Sequence, residues 1–449
     1  MTMPAKLSNE RELNELTSII DNALQQSKLL GATSAEVGVS AESGLSVSAR
    51  MGEVETVVFN RDKSFGITVY MGKSKGSAST SDSSSEAISS AVKAACDIAK
   101  FTEPDEYSGL ADPTDFAKNI IDLDLYHPWS IPPEAAIKLA IECESLARSL
   151  DNRITNSDGV SLDSHQGIHA YGNSEGFLHA YNSTKHGISC SLIAGKSDDM
   201  VSDYWYTVAR DATEMDMIEK IAQKAAERCV SHIGAQRLTT RQSRVLFVPE
   251  MARGLLGSFA AAIRGNNLYR KASFLLDSIG KPIFPDFVTI YEQPRLLKGL
   301  GSSCYDGEGV TTNDKPIITE GILQRYLLGS YSARRLGLKT TGNAGGVYNL
   351  TISTGNKDFN TLIKEMNTGL IVTELMGQGV NMVTGNYSRG ATGFWVEGGE
   401  IQFPVHEITI AGNLCEMFSR LLAVGNDVDS RGNIITGSFL IDNMTIAGT

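Results

Sequence analysis

Leu246-Phe247-Val248-Pro249-Glu250-Met251-Ala252-Arg253-Gly254 reads as a strand running into a helix, the helix covering roughly residues 250–264. The chain changes character at this junction. From Arg244 onward, short apolar runs are punctuated by Gly-Asn, Asp-Gly and Gly-Gly, and more than half of the 43 glycines lie at or after Gly299. That pattern predicts a β-dominated, glycine-rich domain over 241–449 with many tight turns. Further helices are expected at 358–367 and Leu414–Ala423.

Upstream of the junction the pattern is α+β. Leu13, Leu16, Ile19, Ile20, Ala23 and Leu24 recur at helical spacing over 8–30, and Gly31 supplies a stop. Short strands are expected at Ala35–Ser40, Leu45–Met51, Val54–Asn60, Phe65–Tyr70 and Lys75–Ser79. Turns are expected at Glu42-Ser43-Gly44 and Asn60-Arg61-Asp62. Asp82 or Ser83 is positioned to cap a helix ending near Phe101. A second helix–sheet–helix unit follows, with a helix from Pro133 to Leu150 and a hairpin turning at Asn173–Gly176. A strand at Met200–Arg210 and a helix over 214–233 complete it. The expected divisions are an α+β unit at 1–105, a connector at 106–132, a second α+β unit at 133–240 that could share one domain with the first, and the β-rich domain.

At 449 residues the chain is long enough for two or three domains. Its net charge of −12 and pI near 5.2 do not supply the broad basic field that nucleic-acid binding needs. The six cysteines are scattered without a CxxC pair, as expected of buried reduced thiols. No apolar run is long enough for a membrane helix, and the N-terminus lacks a signal-peptide pattern, so a cytoplasmic protein is expected.

Few residues suggest chemistry outright. His165 and His169 are four apart on an expected strand and share a face. If the hairpin loop is Asn173–Gly176, His186 joins them and His179 does not, a trio that could hold a transition metal. A one-residue slip would undo the trio. His406-Glu407 lacks the second histidine of an HExxH helix and sits in an alternating, strand-like stretch. The glycine clusters at 342–346, 377–379 and 398–399 match no phosphate-binding spacing and read as turns. Within them, Gly345, Gly346, Gly377 and Gly379 are candidates to line a groove that accepts an extended peptide by strand addition.

A longer set of segments carries a family resemblance. It includes Ser273-Phe274-Leu275-Leu276-Asp277-Ser278-Ile279-Gly280-Lys281, Tyr331–Leu338 and Gly342–Asn349. Its strongest part is Val372-Thr373-Glu374-Leu375-Met376-Gly377-Gln378-Gly379 with Tyr387-Ser388-Arg389-Gly390-Ala391 and Gly393-Phe394-Trp395-Val396-Glu397. These resemble the TldD/PmbA family (peptidase U62) over nearly the whole chain, and in detail its PmbA branch, also called TldE. The resemblance implies one subunit of a TldD/TldE zinc metalloprotease that cleaves unfolded or extended peptides, in peptide-precursor maturation and antitoxin degradation. The TldD-type subunit is expected to hold zinc on an HExxxH helix and a later cysteine.

Carried over position by position, the two helix ligands fall on Pro249 and Gly254, the general base on Glu250, and the third ligand near Val424. Zinc hydrolysis needs three donor side chains and an open position. Proline, glycine and valine offer no donor. The resemblance therefore implies a chain with no catalytic residue, no metal and no cofactor of its own, inactive alone, in which Glu250 is structural. Zinc is expected in a TldD-type homologue forming a heterodimer with it, while a homodimer could form in isolation. The alternative is a non-proteolytic peptide-binding or regulatory protein, in keeping with the family's older label, modulator of DNA gyrase.

Overall fold

The structure is a computed structural model and describes residues 5–448. It is α+β, with a β-rich C-terminal part. The N-terminal half contains α1 (Ala5–Leu29), β1 (Ser34–Arg50), β2 (Glu53–Met71), β3 (Ser74–Thr80), α2 (Ser85–Phe101), α3 (Pro133–Ser149), β4 (Ile154–Asn173), β5 (Leu178–Ala194), β6 (Val201–Ala209) and α4 (Ile218–Ser231). The six strands form one antiparallel sheet in the order β3-β2-β1-β4-β5-β6. The two helix–sheet–helix units thus meet at the β1–β4 pairing.

Alternation along the strands puts one face of this sheet under the helices. Val37, Val39, Ile67 and Val69 pack against Leu16 and Ile20 of α1 and Val92 and Cys96 of α2. Further along the same face, Leu45, Val47, Leu162 and Leu192 pack against Ala140 and Cys143 of α3 and Ile221 and Cys229 of α4. β1 and β2 are each continuous where two shorter strands were expected. Glu42-Ser43-Gly44 and Asn60-Arg61-Asp62 are strand, not turns. Residues 42–44 are paired on both sides, to β2 and β4, and that pairing overrides their turn propensity. At Gly44 a Cβ would lie 2.1 Å from the His165 ring, so the imidazole occupies the space that the glycine leaves open. The cap of α2 is Ser84, because the Asp82 carboxylate accepts from the Ser84 N–H at 2.8 Å and delays the first turn.

The C-terminal half contains β7 (Arg241–Phe247), α5 (Pro249–Ala262), α6 (Gly265–Tyr269), β8 (Ile290–Glu292), β9 (Lys315–Thr319), β10 (Ile322–Leu323), α7 (Ser330–Leu336), β11 (Leu350–Ile352), α8 (Phe359–Met366), β12 (Gly369–Met376), β13 (Asn386–Glu397), β14 (Glu400–Asn413), α9 (Leu414–Ser419), β15 (Leu421–Val424), β16 (Ile434–Ile435) and β17 (Phe439–Ala447). One sheet runs β14-β13-β12-β7-β17-β15, and a further β14–β17 pairing closes it on itself. A smaller sheet runs β10-β9-β8-β11-β16. The helix expected at Leu414–Ala423 stops at Ser419, and β15 takes its last residues into the sheet against β17. Phe247, Leu255, Leu256, Phe259, Phe418 and Phe439 are fully or almost fully buried and form the centre of this half.

The connector ties the halves together. Phe116, Leu123 and Leu125 bury themselves with Phe177 and Tyr305. The Arg334 guanidinium on α7 donates to the carbonyls of Tyr107, Leu110 and Gly109 at 2.7, 2.9 and 2.6 Å. All six cysteines are free; five are buried and Cys415 is exposed. Among the described residues no helix is long and apolar enough to cross a membrane.

Candidate functional site at the β7–α5 junction

β7 delivers the chain to α5 from the centre of the closed sheet. Val248 precedes the helix without a side-chain cap, and Pro249 takes the first helical position, where its missing N–H costs nothing. That places Glu250 in the first turn with its carboxylate 16% exposed, toward the seam between the two halves.

Two guanidinium groups hold this carboxylate. Arg431 donates to Glu250 Oε1 at 3.0 Å and Arg228 at 3.5 Å. Arg228 comes from α4 and also pairs with Asp203 of β6 at 3.1 Å. Arg431 also pairs with Asp429 at 2.9 Å and donates to the Tyr206 carbonyl at 2.8 Å. Arg253, one turn along α5, meets Asp429 at 2.5 Å and the Tyr206 hydroxyl at 3.2 Å. The Arg431 guanidinium lies over Trp205, 3.8 Å from a ring centroid, which anchors it from the N-terminal sheet. Three carboxylates and three guanidiniums thus balance across the seam. Burial pushes the Asp429 carboxyl up, but hydrogen bonds and charge from Arg431, with Arg253, leave it below the usual carboxylate range. Asp203 is likewise held low against its burial, by His232 and Arg228.

This arrangement does not suit zinc. Pro249 and Gly254 present no donor atom, and Val424 is an apolar, buried residue of β15 whose carbonyl accepts from Gly355. Open space surrounds the position where a Cβ would stand on Gly254, so a side chain could fit there, yet none exists. Two cationic side chains on Glu250 Oε1 would repel a divalent ion brought to this carboxylate. Among the described residues no group of three or more His, Cys, Asp or Glu is arranged to hold a metal.

Three adjoining cavities run along the seam from this junction. The first, about 610 Å³, is lined by Pro249, Glu250, Arg228, Trp205 and Asp429. The second, about 860 Å³, shares Arg431 with it and adds His165, His186 and Tyr206. The third, about 510 Å³, shares Leu300 and Gly301 with the second and reaches Gly345 and Gly346. Gly377 and Gly379 lie apart from these, at the β12–β13 connection. At Gly379 a Cβ would fall 1.5 Å from the Ser388 carbonyl oxygen, so this glycine lets its own sheet close up.

The histidine trio does not assemble. His165 and His169 do share a face, but the register sets His186 opposite Ser164 and His179 opposite Tyr171. His179 therefore joins them and His186 faces the other way. The loop is one residue longer than expected, because Gly172 pairs with Leu178 and Phe177 belongs to the turn. His186 is buried; its Nε2 contacts the His127 carbonyl at 2.8 Å and its Nδ1 the Ser164 hydroxyl at 3.0 Å. His406 and Glu407 lie on β14, where Glu407 pairs with Arg237. Sequence reasoning missed Arg228, Arg431, Asp203, Asp429 and Trp205. They are spread over more than two hundred positions, and no local spacing marks them as partners.

Comparison with known proteins agrees with this architecture. Models of the PmbA/TldA metallopeptidase domain 1, central domain and C-terminal domain match residues 35–99, 126–233 and 240–448. The chain is 51% identical over 414 residues to the metalloprotease PmbA of Escherichia coli O157:H7, covering 92% of each chain. It belongs to the PmbA/TldD metallopeptidase family. A PmbA homologue from Haemophilus influenzae is 48% identical over 444 residues, 98% of this chain and 97% of that one. A crystal structure from Bacteroides thetaiotaomicron, described as a proposed modulator of DNA gyrase, superposes with a TM-score of 0.91 at 26% identity, covering 97% of this chain and 99% of that one. TldE from Thermococcus kodakarensis has the same fold, with a TM-score of 0.83 at 21% identity over 96% of this chain and all of that one.

Proposed function

We propose that this chain is the metal-free subunit of a TldD/TldE-type zinc peptidase. It would form one wall of a chamber in which a TldD-type homologue carries the zinc and cleaves unfolded or extended peptides. The observation that carries this reading is the state of Glu250. The carboxylate at the family's general-base position is bound by Arg431 and Arg228, beside Pro249 and Gly254 where donors would be needed. A carboxylate so neutralised serves as a strut between the halves, not as a base. The cavities along the seam, with Gly345 and Gly346 in the last of them, offer the room an extended chain would need.

The test is peptidase activity on an unstructured peptide, measured for this chain, for a TldD-type homologue and for their mixture, each with and without a zinc chelator. Chelator-sensitive cleavage in the mixture alone is the expected result, and the melting temperature of this chain by itself should not move with chelator. Chelator-sensitive cleavage by this chain alone would sink the proposal. A non-proteolytic regulatory role would leave the mixture no more active than the homologue.

A further inference from the structure

Arg210 is a charge without a counter-charge. It follows β6 directly and lines the third seam cavity. Its Nη1 donates to the Thr184 carbonyl and its Nη2 to the Leu300 carbonyl, both at 2.9 Å, so it bridges the two halves. One N–H on each terminal nitrogen remains, and the buried Nε has no partner. Among the described residues no carboxylate pairs with Arg210, whereas Arg228, Arg253 and Arg431 of the same seam each have one. Burial pulls this guanidinium below the ordinary arginine range, and the nearby Tyr181 phenol works against that fall. The Tyr181 hydroxyl lines the same cavity and has no hydrogen-bond partner among the described residues. Asp306 lines it too, but is buried and accepts from the N–H groups of Glu308, Val310 and Ala344 at 2.9, 3.0 and 2.9 Å. That carboxyl shapes the glycine loop beside it and leaves Arg210 unneutralised. A cation so placed is costly until an anion reaches it.

A fourth cavity, about 500 Å³, adjoins the third across Tyr181 and Tyr305. Ile120, Leu123 and Leu125 of the connector wall it, and it has room for a bulky apolar side chain. We propose that Arg210 receives the C-terminal carboxylate of an extended peptide whose last side chain, large and apolar, enters this connector pocket. A guanidinium fork matches a carboxylate with two charge-assisted hydrogen bonds. Burial raises the Tyr181 phenol, so it keeps its proton and can donate a third. A carboxylate and an apolar side chain share one carbon only at a chain end. An aspartate or glutamate within a chain carries its carboxylate where the apolar group would stand. Gly345 and Gly346, at φ +106° and +141°, face the same cavity with almost nothing near their absent Cβ atoms, which leaves room for peptide backbone on the approach. This rests on the reading of the seam as a peptide groove and gives that groove a polarity, with the free end at Arg210.

The test is binding of an unstructured peptide ending in phenylalanine to the full chain alone, read by fluorescence anisotropy. The free acid should bind about tenfold tighter than the same peptide with a C-terminal amide, the factor for one charge-assisted bidentate pair. Changing the last residue to alanine should weaken the free acid about tenfold, through the apolar area lost. Arg210→Gln should bring acid and amide to equal affinity. Tyr181→Phe should weaken the acid about threefold and leave the amide unchanged, as expected for one hydrogen bond. Arg210 ties the halves together, so a melting curve accompanies each variant, and a second readout uses the unaltered chain. A benzophenone in place of the last side chain should label residues 120–126 or 303–305 of the connector pocket on irradiation. Labelling elsewhere overturns the proposal, as does a preference for the acid that persists in folded Arg210→Gln. An amide peptide with a glutamate near its end that binds as well as the free acid also overturns it, by giving Arg210 to an acidic side chain. Equal affinity for acid and amide overturns it and leaves the peptidase reading standing. No binding of either form overturns it as well, and cleavage by the mixture then decides the peptidase reading separately.

Discussion

At the scale of single residues, Glu250 ties three segments together. Its carboxylate joins α5 to α4 and to the Asp429–Arg431 turn. Glu250→Gln should therefore lower the stability of the chain by about 1–3 kcal/mol, the range for breaking a mostly buried charged partnership. Peptidase activity of a mixture with a TldD-type homologue should stay within about twofold, since no transition-state contact is lost. A melting curve and the peptide assay check both halves of this prediction, and a hundredfold loss of activity in a folded variant would return Glu250 to catalysis. The same network sets a pH response. Asp429 and Asp203 are held below the usual carboxylate range in the fold. Their contribution is complete above about pH 4, the unfolded value, and is lost as pH falls through their lower folded values. Denaturant titrations between pH 6 and pH 3 should show stability falling with acidification, and Asp429→Asn should flatten the fall. His186 acts in the same direction at higher pH. Burial lowers its affinity for a proton below the ordinary histidine value, so charging it should cost stability as pH drops below about 6.5.

At the scale of elements, the glycines separate by what surrounds them. Gly379→Ala would drive a methyl group into the Ser388 carbonyl of β13. This variant should unfold at a clearly lower temperature, with a cost of about 2 kcal/mol or more, because backbone cannot move aside as a flexible side chain can. Gly345 has a φ of +106° but only the Tyr348 hydroxyl, at 3.8 Å, near its absent Cβ. Gly345→Ala should cost about 1 kcal/mol of backbone strain and no packing. If the third cavity holds peptide, the same variant should also raise KM in the mixed assay, while an unchanged KM would remove Gly345 from the groove. The strands teach a related lesson. Continuous β1 and β2 were hidden by turn-forming residues in their middles, because local propensity cannot register neighbours that bond from both sides.

At the scale of the whole molecule, the connector acts as a strap. Arg334 occupies three carbonyls of residues 107–110 that have no strand or helix of their own. Arg334→Ala should leave those carbonyls to water and cost about 2–4 kcal/mol. Limited proteolysis should then cut between residues 102 and 132 faster than in the parent chain, and equal cutting rates would show that the apolar anchors Phe116, Leu123 and Leu125 suffice.

Several features were already written in the sequence. The strand-to-helix junction at Phe247–Glu250, the amphipathic helices α1 to α4 and the β-rich second half all follow from periodicity and punctuation, which are local properties. The lack of donor atoms at Pro249 and Gly254 is equally local, since it depends on side-chain chemistry and not on placement. Tertiary structure alone decided the rest. It set the hairpin register that parts His186 from His165 and His169, because one extra loop residue reverses a face. It brought Arg228 and Arg431 onto Glu250, and both guanidiniums onto the Trp205 ring, from distant segments, because ion pairs and stacking act through space. It also left residues 53–64 of β2 as an open edge, a property that depends on where β3 ends and on nothing inside the exposed segment itself.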